Sequence, residues 1–207
     1  MSGMSGVIEK NIKAYDKKAG DYENTLDGRL TEKFKNLLVA NMSVNDGDAV
    51  LDVACGNGAL LSKIARVKNI RGFGIDISPQ MIAQAGIRNG GFHFAVGGCD
   101  KIPFETASMN IVTVCAAYHH FPDVGAFARE AERVLRPGGS LYIAEISLPA
   151  VFRHIANVFM PLLNTGDVKI YSTGDITRNL SNAGFALVKS VKTGFVQIIQ
   201  LQKTEFL

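Results

Sequence analysis

Three carboxylates and a histidine pair are the side chains of this sequence best placed to do chemistry. Asp52 stands ahead of Gly56-Asn57-Gly58, Asp76 ends the run Gly72–Asp76, and Asp100 follows Gly97-Gly98. His119-His120 follow the strongly apolar stretch Asn110–Ala117. Ionised carboxylates make the stronger class of hydrogen bond, so each can hold ligand donors, and each would repel a phosphate. Histidine titrates near neutral pH and can take a proton from a reacting group. A side chain at Gly56 or Gly58 would hold a ligand off the backbone, and glycine tolerates positive φ. A helix N-terminus behind that turn offers free N–H groups to an acceptor-rich ligand. A dinucleotide fingerprint G-x-G-x-x-G would need glycine at position 61, which is Leu61.

Strands and helices must carry these residues to one place. Ala49–Val53 is apolar except for Asp52, and Leu60, Leu61 and Ile64 resume on one helical face to about Val67. Upstream, the pattern predicts a short helix over Val7–Lys18 and an amphipathic helix over Leu30–Asn41. Downstream it predicts strands at Arg71–Asp76, Phe92–Val96, Asn110–Ala117 and Leu141–Ile146. Between them fall a helix capped by Ser78 with Pro79 in its first turn, and one capped by Asp123 that ends at Arg136-Pro137-Gly138-Gly139. Alternation at this spacing predicts a parallel sheet with helices on both faces, its ligand beyond the carboxyl ends of the strands. The tail differs: Val151–Leu163 reads as an apolar lid or interface helix and Asp175–Ala183 as a short helix. Phe185–Val191 and Phe195–Gln202 read as an antiparallel hairpin at the sheet edge. The expectation is a Rossmann-like, doubly wound, seven-stranded, mainly parallel sheet in three α/β/α layers, in one domain. Residues 1–44 form N-terminal helices and a lid, 45–147 the core, 148–175 a substrate-side insertion and 176–207 the C-terminal helix and hairpin.

Bulk properties exclude several classes. The 207 residues are 47% hydrophobic and 20% charged, a globular composition with enough chain for a full core. Net charge is +3 with scattered Lys and Arg, so no basic face points to nucleic acid. Cys55, Cys99 and Cys115 lack metal-ligand spacing and predict reduced thiols in a cytoplasm. No apolar run is long enough to cross a bilayer.

The stretch Asp52-Val53-Ala54-Cys55-Gly56-Asn57-Gly58 resembles the first motif of class I S-adenosylmethionine-dependent methyltransferases, with Ala54 where that family more often has glycine. Gly74-Ile75-Asp76 resembles the second motif, Gly98–Phe104 the third, and Glu132–Leu141 the segment leading into the fifth strand. Tyr15–Tyr22 is similar to the N-terminal segment of the ubiquinone/menaquinone biosynthesis subgroup. The resemblance implies that S-adenosylmethionine is held by Asp52, Ala54, Cys55, Gly56, Asn57 and Gly58, by Asp76, Ile77 and Met81, and by Cys99, Asp100, Lys101, Ile102 and Ala116. Asp76 would take the ribose and Asp100 the adenine amine, with Ile77 and Ile102 sandwiching the base. Asp52 either orders the glycine loop or reaches the methionine amino group. His119 and His120 are the candidate catalytic residues, as a general base or as groups that shape the pocket. Tyr15, Tyr22, Tyr118, His119 and His120 are the candidate substrate contacts. The implied partner is a small-molecule methyl acceptor, with no nucleic acid, no metal, and a monomer or homodimer. The alternatives are a non-catalytic binder of the cofactor or its product and an NAD-dependent oxidoreductase. The second is opposed by Leu61 and by Pro122 where a Tyr-x-x-x-Lys pair starting at Tyr118 would place lysine.

Overall fold

The computed structural model describes residues 2–163 and 168–204. Seven strands form one sheet: β1 (Ala49–Val53), β2 (Arg71–Asp76), β3 (His93–Val96), β4 (Met109–Cys115), β5 (Leu135–Ile146), β6 (Phe185–Thr193) and β7 (Val196–Lys203). Their order is β3-β2-β1-β4-β5-β7-β6. The first five run parallel, and β7 pairs antiparallel with both β5 and β6. The chain order reverses between β1 and β4, so these adjacent parallel strands open a crevice at their carboxyl ends.

Seven α-helices accompany the sheet among the described residues: α1 (Ser2–Lys18), α2 (Leu26–Asn41), α3 (Ala59–Ala65), α4 (Pro79–Arg88), α5 (Val124–Val134), α6 (Ala150–Leu163) and α7 (Thr173–Ser181). Alternation along the strands divides the core. Leu51, Val53, Leu141 and Ile143 face Phe127, Val134, Ile176 and Leu180 of α5 and α7. Val50, Tyr142 and Ile198 face Phe34 and Leu38 of α2 and Leu60, Leu61 and Ile64 of α3. The capping chemistry is as read from the sequence: Ser78 Oγ accepts from Met81 N, and Asp123 accepts from Gly125 N and Ala126 N.

Boundaries differ where tertiary contacts outweigh local pattern. Helix α1 begins at Ser2 rather than Val7, and α3 ends at Ala65 rather than Val67. α5 stops at Val134, because Leu135 already pairs with Met109 and a register shift carries Arg136–Gly139 into β5. Of the substrate-side insertion, residues 164–167 lie outside the described residues. The 1–44, 45–147 and 176–207 divisions remain a reading of the sequence.

The antiparallel end is tied to the parallel core by a buried amide. Gln197 is fully buried on β7; its Nε2 donates to Ile146 O and Tyr171 O, and its Oε1 accepts from Thr173 Oγ1. A buried group stripped of its partner costs about 1–3 kcal/mol. Replacing Gln197 with Leu, similar in shape, is therefore expected to lower unfolding free energy by about 2–4 kcal/mol in urea denaturation.

Candidate functional site

The turn after β1 is fixed by its own backbone. Cys55 N donates to Ile75 O at 2.9 Å and Gly58 N to Cys55 O at 3.0 Å. Gly56 N donates to Asp76 Oδ2 and Ser78 N to Asp76 Oδ1, both at 2.9 Å. Asp76 thus clasps the ends of β1 and β2 together, and each carboxylate oxygen keeps capacity for a further donor. Burial raises the Asp76 pKa, while the two N–H groups pull it down. Gly56 has φ +52°, and a Cβ built there meets only Met81 Sδ at 4.0 Å. Its face is an open cradle. Gly58 does something else: at φ +74° its Cβ would lie 2.7 Å from Asn89 Nδ2 and 3.2 Å from Ala85 Cβ. Its glycine is required by the packing of α3 on α4, not by a ligand.

Two residues other than glycine share the left-handed conformation around this turn. Ala54 has φ +59° and Ala116, at the end of β4, has φ +52°. An L-residue there costs roughly 1–2 kcal/mol. Both line the cavity, where strained backbone tends to collect.

A cavity opens over these strand ends, with about 1070 Å³ of empty space including its mouth. Its floor holds Asp52, almost fully buried, with Thr113 Oγ1 donating to Oδ1 at 2.8 Å. Burial pushes the Asp52 carboxyl up to about 7, against the pull of Thr113 and the Lys35 charge. Lys35 was not singled out from the sequence. It is a buried lysine on α2 that lines the same cavity, with Nζ 3.3 Å from Thr31 Oγ1 and 5.9 Å from the Tyr22 ring centroid. At the end of the run Thr31-Glu32-Lys33-Phe34-Lys35 on α2, it reads as solvated. What buries it is the close seat of α2 on the segment before it: a Cβ at Gly28 would lie 2.0 Å from Tyr22 O.

The opposite wall is less polar. Ile77, Met81, Cys99 and Asp100 line it as expected, joined by Phe121 and Pro122, which the sequence reading passed over. Burial pushes the Cys99 thiol up to about 12, so it presents a neutral, weakly polar surface. Ile102 does not face the cavity. It is a core residue, its N–H held by Glu130 Oε2 at 2.7 Å, and the exposed Lys101 also lies off the wall. Phe121 and Pro122 supply apolar surface to the wall that Ile102 does not.

The histidine pair divides. Tyr118 is fully buried against Phe121, Phe127 and Tyr171 and is a core residue rather than a substrate contact. His119 also lies off the cavity wall: its Nδ1 is 2.8 Å from Oε1 of the fully buried Glu145, whose Oε2 accepts from His119 N. His120 does line the cavity, its Nε2 3.0 Å from the Tyr15 hydroxyl. The two imidazoles stay in contact, ring centroids 4.0 Å apart, but on the short 3₁₀ turn Tyr118–His120 only the second reaches the cavity wall. Tyr15, Tyr22, Asn11 and Ile8 bring the N-terminal segment over the cavity. Asp16 pins it there, accepting from Ser78 Oγ at 2.5 Å and from Gln80 N at 3.3 Å. Among the described residues no group of three His, Cys, Asp or Glu side chains is arranged to hold a metal.

A methyltransferase-domain family model matches residues 51–143, which run from β1 through the Asp76 clasp and the cavity wall into β5. Over that segment the chain is similar to the methyltransferase-domain family. The chain is 35% identical over 100 residues to the demethylmenaquinone methyltransferase of Chlorobaculum tepidum, covering 48% of this chain and 41% of that relative. It therefore spans about two fifths of that curated relative's length. Among solved structures, the complex of the Haloferax volcanii Trm112 methyltransferase activator with a methyltransferase superposes with TM-score 0.80. That match is 21% identical and covers 92% of this chain and 98% of that one. Geranyl diphosphate C-methyltransferase from Streptomyces coelicolor, bound to S-adenosyl-L-homocysteine, superposes with TM-score 0.78. It is 13% identical and covers 96% of this chain and 98% of that one. Both show the shared fold.

The strained alanine gives a simple test. Ala54→Gly is expected to raise the unfolding free energy by about 1 kcal/mol, read by thermal or urea denaturation. Asp52 gives a pH test. Its folded pKa lies above the unfolded value of about 3.9, so the stability it contributes is full at low pH and is lost as pH rises from about 4 to about 7. Asp52→Asn is expected to flatten that loss. Its unfolding free energy relative to the unmodified protein should rise by on the order of 2 kcal/mol between pH 5 and pH 8.

Proposed function

We propose that this protein transfers a methyl group from S-adenosylmethionine to a small-molecule acceptor. The observation that carries the reading is the convergence of four kinds of group on one cavity at the β1–β4 switch point. These are the Gly56 cradle, the Asp76 clasp, the Asp52–Lys35 pair of opposite character, and the mainly apolar slot of Ile77, Phe121 and Pro122. A zwitterionic amino acid joined to a nucleoside matches that set. Asp76 would accept from the ribose hydroxyls and Asp100 from the adenine amine, with the base between Ile77 and Phe121. The methionine portion would lie along Gly56, its carboxylate toward Lys35 and its ammonium toward Asp52. When bound, this cofactor supplies an activated methyl on a sulfonium.

The chain's own residues then have modest tasks. They hold the acceptor in line and exclude water, which accounts for a large part of the rate enhancement in reactions of this type. Tyr15, Tyr22 and Ile8 roof the cavity with aromatic and apolar surface, which favours an apolar or aromatic acceptor. His120 is the residue positioned to hold a proton leaving the acceptor, with Tyr15 fixing its ring. His119 acts behind it, tied by Glu145 so that the turn carrying His120 stays in place. The name of the Chlorobaculum tepidum relative favours a hydroxylated naphthalene ring as the acceptor core.

Titration calorimetry tests the reading. S-adenosylhomocysteine is expected to bind at micromolar concentration, and Asp76→Ala to weaken it at least about 100-fold, as for loss of charged hydrogen bonds in a dry site. Lys35→Met is expected to weaken S-adenosylhomocysteine about tenfold and leave 5′-methylthioadenosine, which lacks the carboxylate, unchanged. Heat from NAD with none from S-adenosylhomocysteine would sink the reading. Turnover is read as S-adenosylhomocysteine released on adding a soluble dihydroxynaphthalene. Binding without release on any aromatic hydroxyl acceptor would leave a binding protein instead.

A further inference from the structure

Helix α6 is inside out. A helix on a globular protein normally turns its apolar stripe to the core. In α6 the stripe of Val151, Phe152, Ile155, Val158 and Phe159 faces away, each residue 50–68% exposed. At 100° per residue these five fall within about 120° of one another, a continuous band. The polar residues Arg153 and Asn157 point inward. Asn157 brackets the backbone of Ile170, donating to its carbonyl and accepting from its N–H, and Arg153 Nη1 reaches Leu148 O. Of the α6 side chains described, Met160 alone is buried.

We propose that this band docks α6 on an anionic lipid surface. The charge pattern carries the choice of partner. No Asp or Glu occurs between Glu145 and Asp167; His154 is exposed on α6 at the edge of the band, and Lys169 is exposed next to Ile170, the residue that Asn157 holds. Asp175, whose carboxyl feels the Arg153 charge, is held by the Ser172 cap. Area argues against a second copy. Taking a large apolar side chain as about 150–200 Å², the band offers roughly 500 Å². Two bands face to face bury roughly 1,000 Å², below the 1,200–2,000 Å² of a stable interface. A lipid surface has no such requirement, because an amphipathic helix lying in the headgroup region buries its apolar side chains one by one.

Docking there places the bilayer near the acceptor end of the cavity. Asn157 holds Ile170, and Val168 N donates to His119 O at 2.8 Å, one residue from His120 on the cavity wall. An acceptor dissolved in the bilayer would then need only a short path.

Co-sedimentation of the full chain with vesicles decides the matter. Equimolar phosphatidylglycerol and phosphatidylcholine vesicles are expected to pellet the protein, and pure phosphatidylcholine vesicles to pellet much less. The double change Phe152→Ser and Phe159→Ser is expected to cut the bound fraction at least about tenfold. Both positions are exposed, so thermal unfolding and S-adenosylhomocysteine affinity should not move. That affinity also separates failure here from failure of the methyltransferase reading. No vesicle binding, binding indifferent to lipid charge or to the two substitutions, or a self-associated species that the substitutions disperse would each overturn the proposal.

Discussion

The carboxylate of Asp76 holds two strand ends in one geometry, and the rest of the site depends on that. One oxygen takes the N–H of Gly56 and the other the N–H of Ser78. The first bond shapes the turn leaving β1, and the second shapes the start of α4. Met81, on the first turn of α4, is thereby set beneath Gly56, and the Ser78 hydroxyl is free to meet Asp16 of α1. A single charged group therefore orders the glycine cradle, the helix behind it and the anchor of the N-terminal segment. Burial opposes its ionisation, and the two N–H groups offset that cost.

Much of the core was legible because its signals are local. A strand that ends in glycine, a Ser-Pro helix start and an Asp cap each depend on residues a few positions apart, and the structure forms all three. The family motifs added the order in which the strand ends bear carboxylates. Reading failed where a residue's role depends on a distant neighbour. Gly58 looks like a second ligand-facing glycine, but Asn89, Ala85 and Phe94 crowd its open side. Ile102 looks like a base-stacking residue, but Glu130 and the core hold it.

Lys35 and Glu145 show the same limit from the other direction. Each is a charged residue in an ordinary-looking stretch, and each is buried by an element from elsewhere in the chain: α2 packed on the Tyr22 segment, or β5 paired between β4 and β7. A buried charge is costly unless it is engaged. Lys35 facing the cavity beside Asp52, and Glu145 bonding His119, are the engagements that resolve the cost. No one-dimensional pattern separates such residues from solvated ones. The inward polar face of α6 escaped notice for the same reason, since its periodicity is ordinary and only its direction is not.

The two ends of the sheet bear on how the chain behaves at high concentration. An open strand edge is a template for pairing with another molecule, and such pairing leads to aggregates. At one end β3 has only four residues, too short to offer a long row of free N–H and C=O groups. At the other, β6 is longer, but its register slips between Leu187 and Lys189, and Lys189 and Lys192 lie along it. The slip twists the edge out of line, and the lysines would lose solvation under an incoming strand. A sheet that must stay open at its carboxyl ends to take ligands is in this way closed to its own kind along both sides.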